Sequence, residues 1–205
     1  MQTRKVTWFV SVFITMFTPS IGAVDKINIS KKQAEKSEWT TTFYSAKFTN
    51  GTLHELLQFE SEITNNKIYI LALTRKLNTF YKKFDWEVEG QISKNVGPRQ
   101  KNWELNIPII IRWNILKFQR KILKSFAAGV GLSYASKPPE YEIDLHGDSS
   151  KLLLYNMVEI DFFLPNYPSL FFVARIHHRS TMFQFFNKNI RGASNALGFG
   201  LKYRF

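Results

Sequence analysis

The chain has 205 residues, 28 basic against 16 acidic side chains for a formal net charge of +12, and no cysteine. The absence of cysteine excludes a disulfide framework and any thiolate metal site. No apolar stretch reaches the roughly 20 residues of a membrane-crossing helix, yet aromatics make up 16% of the chain, with 19 Phe, 8 Tyr and 5 Trp.

Residues 1–23 read as a cleavable secretory signal peptide. Arg4 and Lys5 form a positive start, Val6 to Phe17 an apolar core too short to span a bilayer, and Pro19-Ser20-Ile21-Gly22-Ala23 a small-residue cleavage region. In an exported protein the positive charge points to phosphorylated lipid headgroups or acidic polysaccharide as partners, not to nucleic acid. Residues 24–38 (VDKINISKKQAEKSE) form a flexible polar lead-in, and residues 39–205 are assigned to one domain.

That domain consists of alternating apolar and polar runs of about ten residues separated by turn signals, the pattern of a transmembrane barrel. The clearest run is Trp103 to Trp113. Trp103, Leu105, Ile107, Ile109, Ile111 and Trp113 share one face, while Glu104, Asn106, Pro108, Ile110 and Arg112 share the other. Ten residues at ~3.3 Å each, tilted by ~40°, rise roughly 25 Å, the height of a barrel's apolar band between its aromatic girdles. Seven strands are predicted at 67–76, 84–95, 102–114, 122–136, 151–163, 169–180 and 192–205. An even strand number calls for an eighth within 39–63, where Thr40–Thr49 competes with Leu56–Ile63 followed by a turn at Thr64-Asn65-Asn66. The prediction is an all-β, eight-stranded antiparallel transmembrane β-barrel in the bacterial outer membrane. Long loops near 137–150 and 181–191 should lie outside the cell. The last strand, ending Leu201-Lys202-Tyr203-Arg204-Phe205, has the terminal aromatic form read by the barrel assembly machinery. Nothing in the sequence sets the oligomeric state.

Within the barrel, Glu87, Glu89, Glu159 and Asp161 are expected to pair in the lumen with Arg112, Arg175 and Arg179. His177 belongs to the same interior network. With four His and no Cys, no zinc spacing occurs, and Gly129-Val130-Gly131 lies in a strand, where it does not read as a phosphate loop. No cofactor is implied.

The run Arg175-Ile176-His177-His178-Arg179-Ser180 carries the candidate chemistry. If the arginines seek the lumen, His178 and Ser180 point outward, neighbours on one face about 6.5 to 7 Å apart at Cα. They make a general base and a nucleophile that need a third group to orient the imidazole. The outward register of the last strand extends back to Asn195, which falls beside His178 if the hairpin centres near residue 187. Ser194 falls on the lumen face and is the weaker choice. The same His and Ser also fit interfacial polar residues at a barrel rim.

These stretches resemble a known group. Glu87-Val88-Glu89-Gly90-Gln91, Asn102-Trp103-Glu104-Leu105-Asn106, Gly131-Leu132-Ser133-Tyr134-Ala135, Arg175–Ser180 and Gly192-Ala193-Ser194-Asn195 make the chain, over roughly residues 50–205, similar to the PagL-type lipid A 3-O-deacylases and closest to a poorly characterised related branch. The resemblance implies an eight-stranded barrel with Ser180 as nucleophile and His178 as base. The reaction implied is hydrolysis of an ester-linked 3-hydroxyacyl chain of lipopolysaccharide, without a cofactor. The family's catalytic acid has no counterpart here, since Ser194 or Asn195 occupies that stretch. The Asn that commonly follows the catalytic Ser is replaced by Thr181. A non-catalytic barrel that binds or stabilises lipopolysaccharide is the competing expectation. A narrow pore is disfavoured by the charged, filled lumen of so small a barrel.

Overall fold

The computed structural model describes residues 38–58, 60–98, 100–115, 122–164, 166–181 and 192–205. The predicted signal peptide and nearly all of the polar lead-in lie outside these residues. Eight antiparallel strands close into a barrel in sequence order: β1 (Trp39–Thr49), β2 (Ile63–Phe80), β3 (Phe84–Val96), β4 (Trp103–Asn114), β5 (Leu123–Ala135), β6 (Leu152–Phe163), β7 (Leu170–Ser180) and β8 (Ala193–Arg204). β8 pairs with β1 from Thr40↔Arg204 to Thr49↔Asn195, so no edge strand is left open. Closure leaves no open edge of unpaired N–H and C=O groups, the condition for crossing hydrocarbon with strands.

The eighth strand is the Thr40–Thr49 run. The competing Leu56–Ile63 segment instead begins inside a short helix, α1 (Leu53–Leu57), whose Thr52 and Glu55 form a reciprocal cap, and ends at the first residue of β2. The turn expected at Thr64-Asn65-Asn66 is also corrected, because these residues lie inside β2. Ile63 pairs with Thr49 and Lys67 with Lys47, and a bulge between them absorbs the extra residues. β2 therefore begins earlier and ends later than its apolar pattern indicated.

One end of the barrel is compact. There β2 and β3 are joined by residues 81–83, with Tyr81 and Lys82 both at positive φ (50° and 55°), the twist a tight hairpin turn requires. Both ends of the barrel chain meet at this same end, where Phe205 N donates to Trp39 O at 3.1 Å. The other end carries the longer connections, among them α1 and α2 (Glu140–His146).

The outer wall is the apolar face. Phe43, Leu71, Leu73, Ile92, the β4 row Leu105 to Ile111, Val130, Leu132, Phe199 and Leu201 are exposed. Trp39, Trp86, Trp113, Tyr203 and Phe205 ring the short-turn end, while Tyr69, Trp103 and Tyr134 lie toward the loop end. An apolar band between two aromatic girdles is a surface made for lipid.

The lumen is the polar core. Arg112 donates to Glu87 (2.8 and 3.0 Å), Glu159 (2.8 Å), Asp161 (2.6 Å) and Ser125 (3.1 Å). Arg175 is held by Glu89 (2.7 and 3.1 Å) and Glu159 (2.7 Å through Nε), with its guanidinium 5.0 Å from the centre of the Tyr44 ring. Lys202 joins Glu159 and reaches Asp161 at 3.1 Å. The expected pairings hold for Arg112 and Arg175 but not for Arg179, which is engaged by Glu142 (2.6 Å) and lies 3.8 Å from Glu104. Buried carboxylates outnumber buried cations here. Neutral donors add to the cations: Thr74 on Glu89 (2.6 Å), Asn95 on Glu104 (2.6 Å) and Ser149 on Glu142 (2.5 Å).

Two outcomes follow from this inside-out plan. Ile109→Arg places a cation at mid-height of the lipid face and is expected to cost about 2–4 kcal/mol, read from urea titration of the barrel folded into vesicles. Arg112→Leu leaves Glu87, Glu159 and Asp161 short of a shared cation and is expected to cost about 3–5 kcal/mol in the same titration.

Candidate functional site

The β7–β8 register settles which residues share the outer wall. His178 pairs with Asn195, Arg179 with Ser194 and Ser180 with Ala193. Along β7 the buried residues are Phe171, Val173, Arg175, His177 and Arg179, and the intervening residues from Leu170 to Ser180 face out. His178 and Ser180 therefore lie on the outer wall at the loop end of the barrel. Ser194 points the other way and donates to Glu142 in the lumen at 2.8 Å.

His178 and Asn195 are brought into contact, with 2.6 Å between Nδ1 and Oδ1. The opposite end of the Asn195 amide decides what this contact means. Asn195 Nδ2 donates to the backbone carbonyl of Gly51 at 2.9 Å. A carbonyl only accepts, so the amide NH2 must face Gly51 and the amide oxygen must face His178. Oδ1 in turn requires a proton on Nδ1, which leaves Nε2 of a neutral His178 as the free acceptor. That is the tautomer a general base needs.

Gly51 is the residue sequence reasoning missed. It sits at φ +102° just after β1, in a conformation that L side chains rarely adopt, and a Cβ there would lie 2.4 Å from Glu55 Oε2. The loop it starts is fixed by the α1 cap, in which Thr52 N donates to Glu55 Oε2 at 2.6 Å. That bond also holds the Glu55 carboxyl below its ordinary range. Asn195 itself is only 4% exposed beneath this loop. The only local signal was the turn-like Asn50-Gly51-Thr52. The partner lies 144 positions away.

Ser180 is half-buried and registered with Leu154 on β6. Among the described residues no hydrogen bond joins it to His178; the two strand positions are one repeat apart, ~6.5–7 Å at Cα. On the other side of His178 lies Asn156, its registered partner on β6. This is the residue that interrupts the apolar outer row of that strand, and its placement beside His178 was not foreseen. His178 is thus flanked on the outer wall by two amide side chains.

The lumen behind the site is closed. α2 folds over the loop end of the barrel and lowers Glu142 onto Arg179, Ser149 and Ser194. Tyr141 packs against Phe48 (ring centroids 5.3 Å apart) and donates to Thr49 O at 3.0 Å and Asn50 Oδ1 at 2.9 Å. Burial pushes its phenol up to about 12, so it remains a donor throughout the physiological range. His177 points inward, 3.2 Å from the Tyr44 hydroxyl and 3.4 Å from Glu104. Among the described residues no three His, Asp or Glu side chains gather as a metal site.

The expected outcome is a defined imidazole. Nitrogen-15 NMR of the folded barrel above the titration of His178 should show Nδ1 protonated and Nε2 bare, and Asn195→Leu should mix the two tautomers. Retention of a single Nδ1–H tautomer in Asn195→Leu would show that the amide does not set it.

No protein-family model matches the chain, and no curated protein matches it in sequence. Solved structures do match. The outer membrane enzyme PagL superposes with a TM-score of 0.54 at 11% sequence identity, covering 80% of this chain and 99% of that one. Neisserial surface protein A gives 0.48 at 13% identity, over 82% and 96%. The outer membrane protein OprG from Pseudomonas aeruginosa gives 0.37 at 11%, over 82% and 96%. At this identity the likeness to PagL is one of fold.

Proposed function

We propose that this barrel resides in the bacterial outer membrane and is an ester hydrolase acting on a lipid acyl chain presented sideways from the membrane. By its resemblance to the lipid A 3-O-deacylases, the substrate is an ester-linked 3-hydroxyacyl chain of lipopolysaccharide. The observation that carries the reading is the Gly51–Asn195–His178 chain of hydrogen bonds. It prepares a base on the outer wall two residues from a hydroxyl, where a barrel facing lipid gains nothing structural from either.

In this reading Ser180 Oγ attacks the ester carbonyl as His178 Nε2 takes its proton. The proton then passes to the leaving alkoxide, and water releases the fatty acid from the acyl-Ser180 ester by the same route. Asn195 orients the imidazole and accepts from the imidazolium, more weakly than a carboxylate would. In serine proteases an Asn in the acid's place lowers kcat by ~10⁴, because its amide presents the wrong group and selects the wrong tautomer. The Gly51 carbonyl removes that ambiguity here. The hydroxyl-to-imidazole hydrogen bond forms by side-chain rotation when substrate arrives, as catalytic contacts often tighten only in the complex. Asn156 supplies the side-chain amide for the carbonyl oxygen as it gains negative charge, a place left open by Thr181 following Ser180.

The test is the mass spectrum of lipid A from an expressing strain. Wild type is expected to remove one 3-hydroxy fatty acid, and Ser180→Ala and His178→Ala are each expected to abolish the loss while the barrel still inserts. Asn156→Ala is expected to slow it by ~10²–10³, the usual contribution of one oxyanion donor. Asn195→Asp, which restores a carboxylate behind the imidazole, is expected to raise the rate. Loss of an acyl chain in wild type and both null variants alike would sink the assignment. An unaltered lipid A in the wild-type strain would favour the second reading, a non-catalytic barrel that binds lipopolysaccharide, which the filled lumen and amide-for-acid exchange equally accommodate.

A further inference from the structure

Among the described residues the lumen buries more carboxylates than cations, so basic side chains predominate over acidic ones on the outside. Two of the outer lysines occupy an unfavourable place. Lys47 on β1 and Lys67 on β2 are registered directly opposite one another, and both are exposed on the outer wall. Like charges opposed across a ladder destabilise a sheet. Neither lysine forms an ion pair among the described residues.

A third cation lies one diagonal step away. Lys94 on β3 pairs with Tyr69, two residues along β2 from Lys67. Its ammonium stands 4.4 Å over the ring of Trp103, the first residue of β4. Lys47 lies two residues before the end of β1, Lys94 two before the end of β3, and Lys67 four after the start of β2. The three therefore form a group at the loop-end rim, level with Tyr69 and Trp103 and immediately beyond the apolar band. Aromatic side chains of this kind sit at headgroup depth. The neighbour available to an outward cation at that depth is lipid, and the lipid group that would relieve three clustered ammoniums is a phosphate.

We propose that Lys47, Lys67 and Lys94 hold the phosphate of a membrane lipid headgroup against the outer wall of β1–β3. Charge complementarity is the argument for this occupant: an opposed lysine pair that weakens the bare barrel becomes favourable once a shared anion bridges it. The site does not depend on Ser180 acting as a nucleophile. It does stand beside that site: Lys47 pairs with Leu197, two residues along β8 from Asn195. By strand spacing the phosphate lies on the order of 10–15 Å from His178, the scale of one headgroup. A lipid held there by its phosphate would have its nearest acyl chains against the β7–β8 wall.

The test uses the folded full barrel in zwitterionic micelles, titrated with phosphatidic acid as a phosphomonoester lipid and followed by native mass spectrometry of the retained lipid. Wild type is expected to retain it in preference to phosphatidylcholine. Lys47→Gln/Lys67→Gln is expected to bind roughly tenfold or more weakly, and Lys94→Gln several-fold more weakly. Lys47→Arg/Lys67→Arg should bind as wild type, and Lys82→Gln at the opposite end should have no effect. Without the lipid, the double Gln variant is expected to melt at a higher temperature than wild type, since it removes a repulsion; this also reports that it folds. Unchanged affinity in the double Gln variant overturns the proposal. So does equal retention of phosphatidylcholine, or inorganic phosphate binding as tightly as the lipid, which would make this a site for a free anion. Lipid A cleavage is not the readout, so failure here leaves the hydrolase reading standing and the converse also holds.

Discussion

An eight-stranded barrel has an interior only wide enough for side chains, and in this chain that interior holds charges that cannot sit anywhere else. Arg175, buried to 1% exposure, links β7 to Glu89 on β3 across the lumen and to Glu159 on the adjacent β6. Arg112 ties β4 to Glu87 on β3 and to Glu159 and Asp161 on β6, and Lys202 brings β8 to the same two acids. Because side chains alternate across a strand, a slip of one residue in any of these strands would turn its charges into hydrocarbon. The network therefore sets the rotation of each strand and, with it, which residues the outer wall displays.

The candidate site inherits its position from that choice. Arg175, His177 and Arg179 go inward to find partners, so His178 and Ser180 go outward. The same alternation sends Ser194 to Glu142 and leaves Asn195 beside His178. The lumen contributes a second constraint at the loop end, where Glu142 on α2 holds Arg179 and the helix closes the mouth of the barrel. The candidate site is on the wall that faces lipid, and the bond that orients His178 runs through Asn195 to the Gly51 loop.

Much of this is legible in the sequence. The period-two alternation of Trp103 to Trp113 announced a strand with one face for lipid and one for a polar lumen, and the structure places those residues so. The His178–Asn195 pairing was expected on the condition that the hairpin between the last two strands centres near residue 187, and the observed register meets that condition. Reading broke down where alternation is weak or local helices intervene. Thr64-Asn65-Asn66 has turn composition but is absorbed in β2 by a bulge, because the strand continues to pair on both sides of it. Arg179 was assigned the wrong partners because Glu142 belongs to a loop helix whose fold over the lumen leaves no periodic trace.

The sequence by itself determined a closed barrel with an apolar outer wall and the inward or outward sense of the residues flanking the site. Both follow from the two-residue repeat of a strand and the high cost of a charge in lipid. Only the tertiary structure decided which way the Asn195 amide points, because that depends on the carbonyl of Gly51, a hydrogen bond spanning 144 positions. It alone also set Lys47 against Lys67 and brought Asn156 beside His178. Such contacts depend on how neighbouring strands slide past one another, a quantity fixed by the interior ion network and by bulges and not by the composition of either strand.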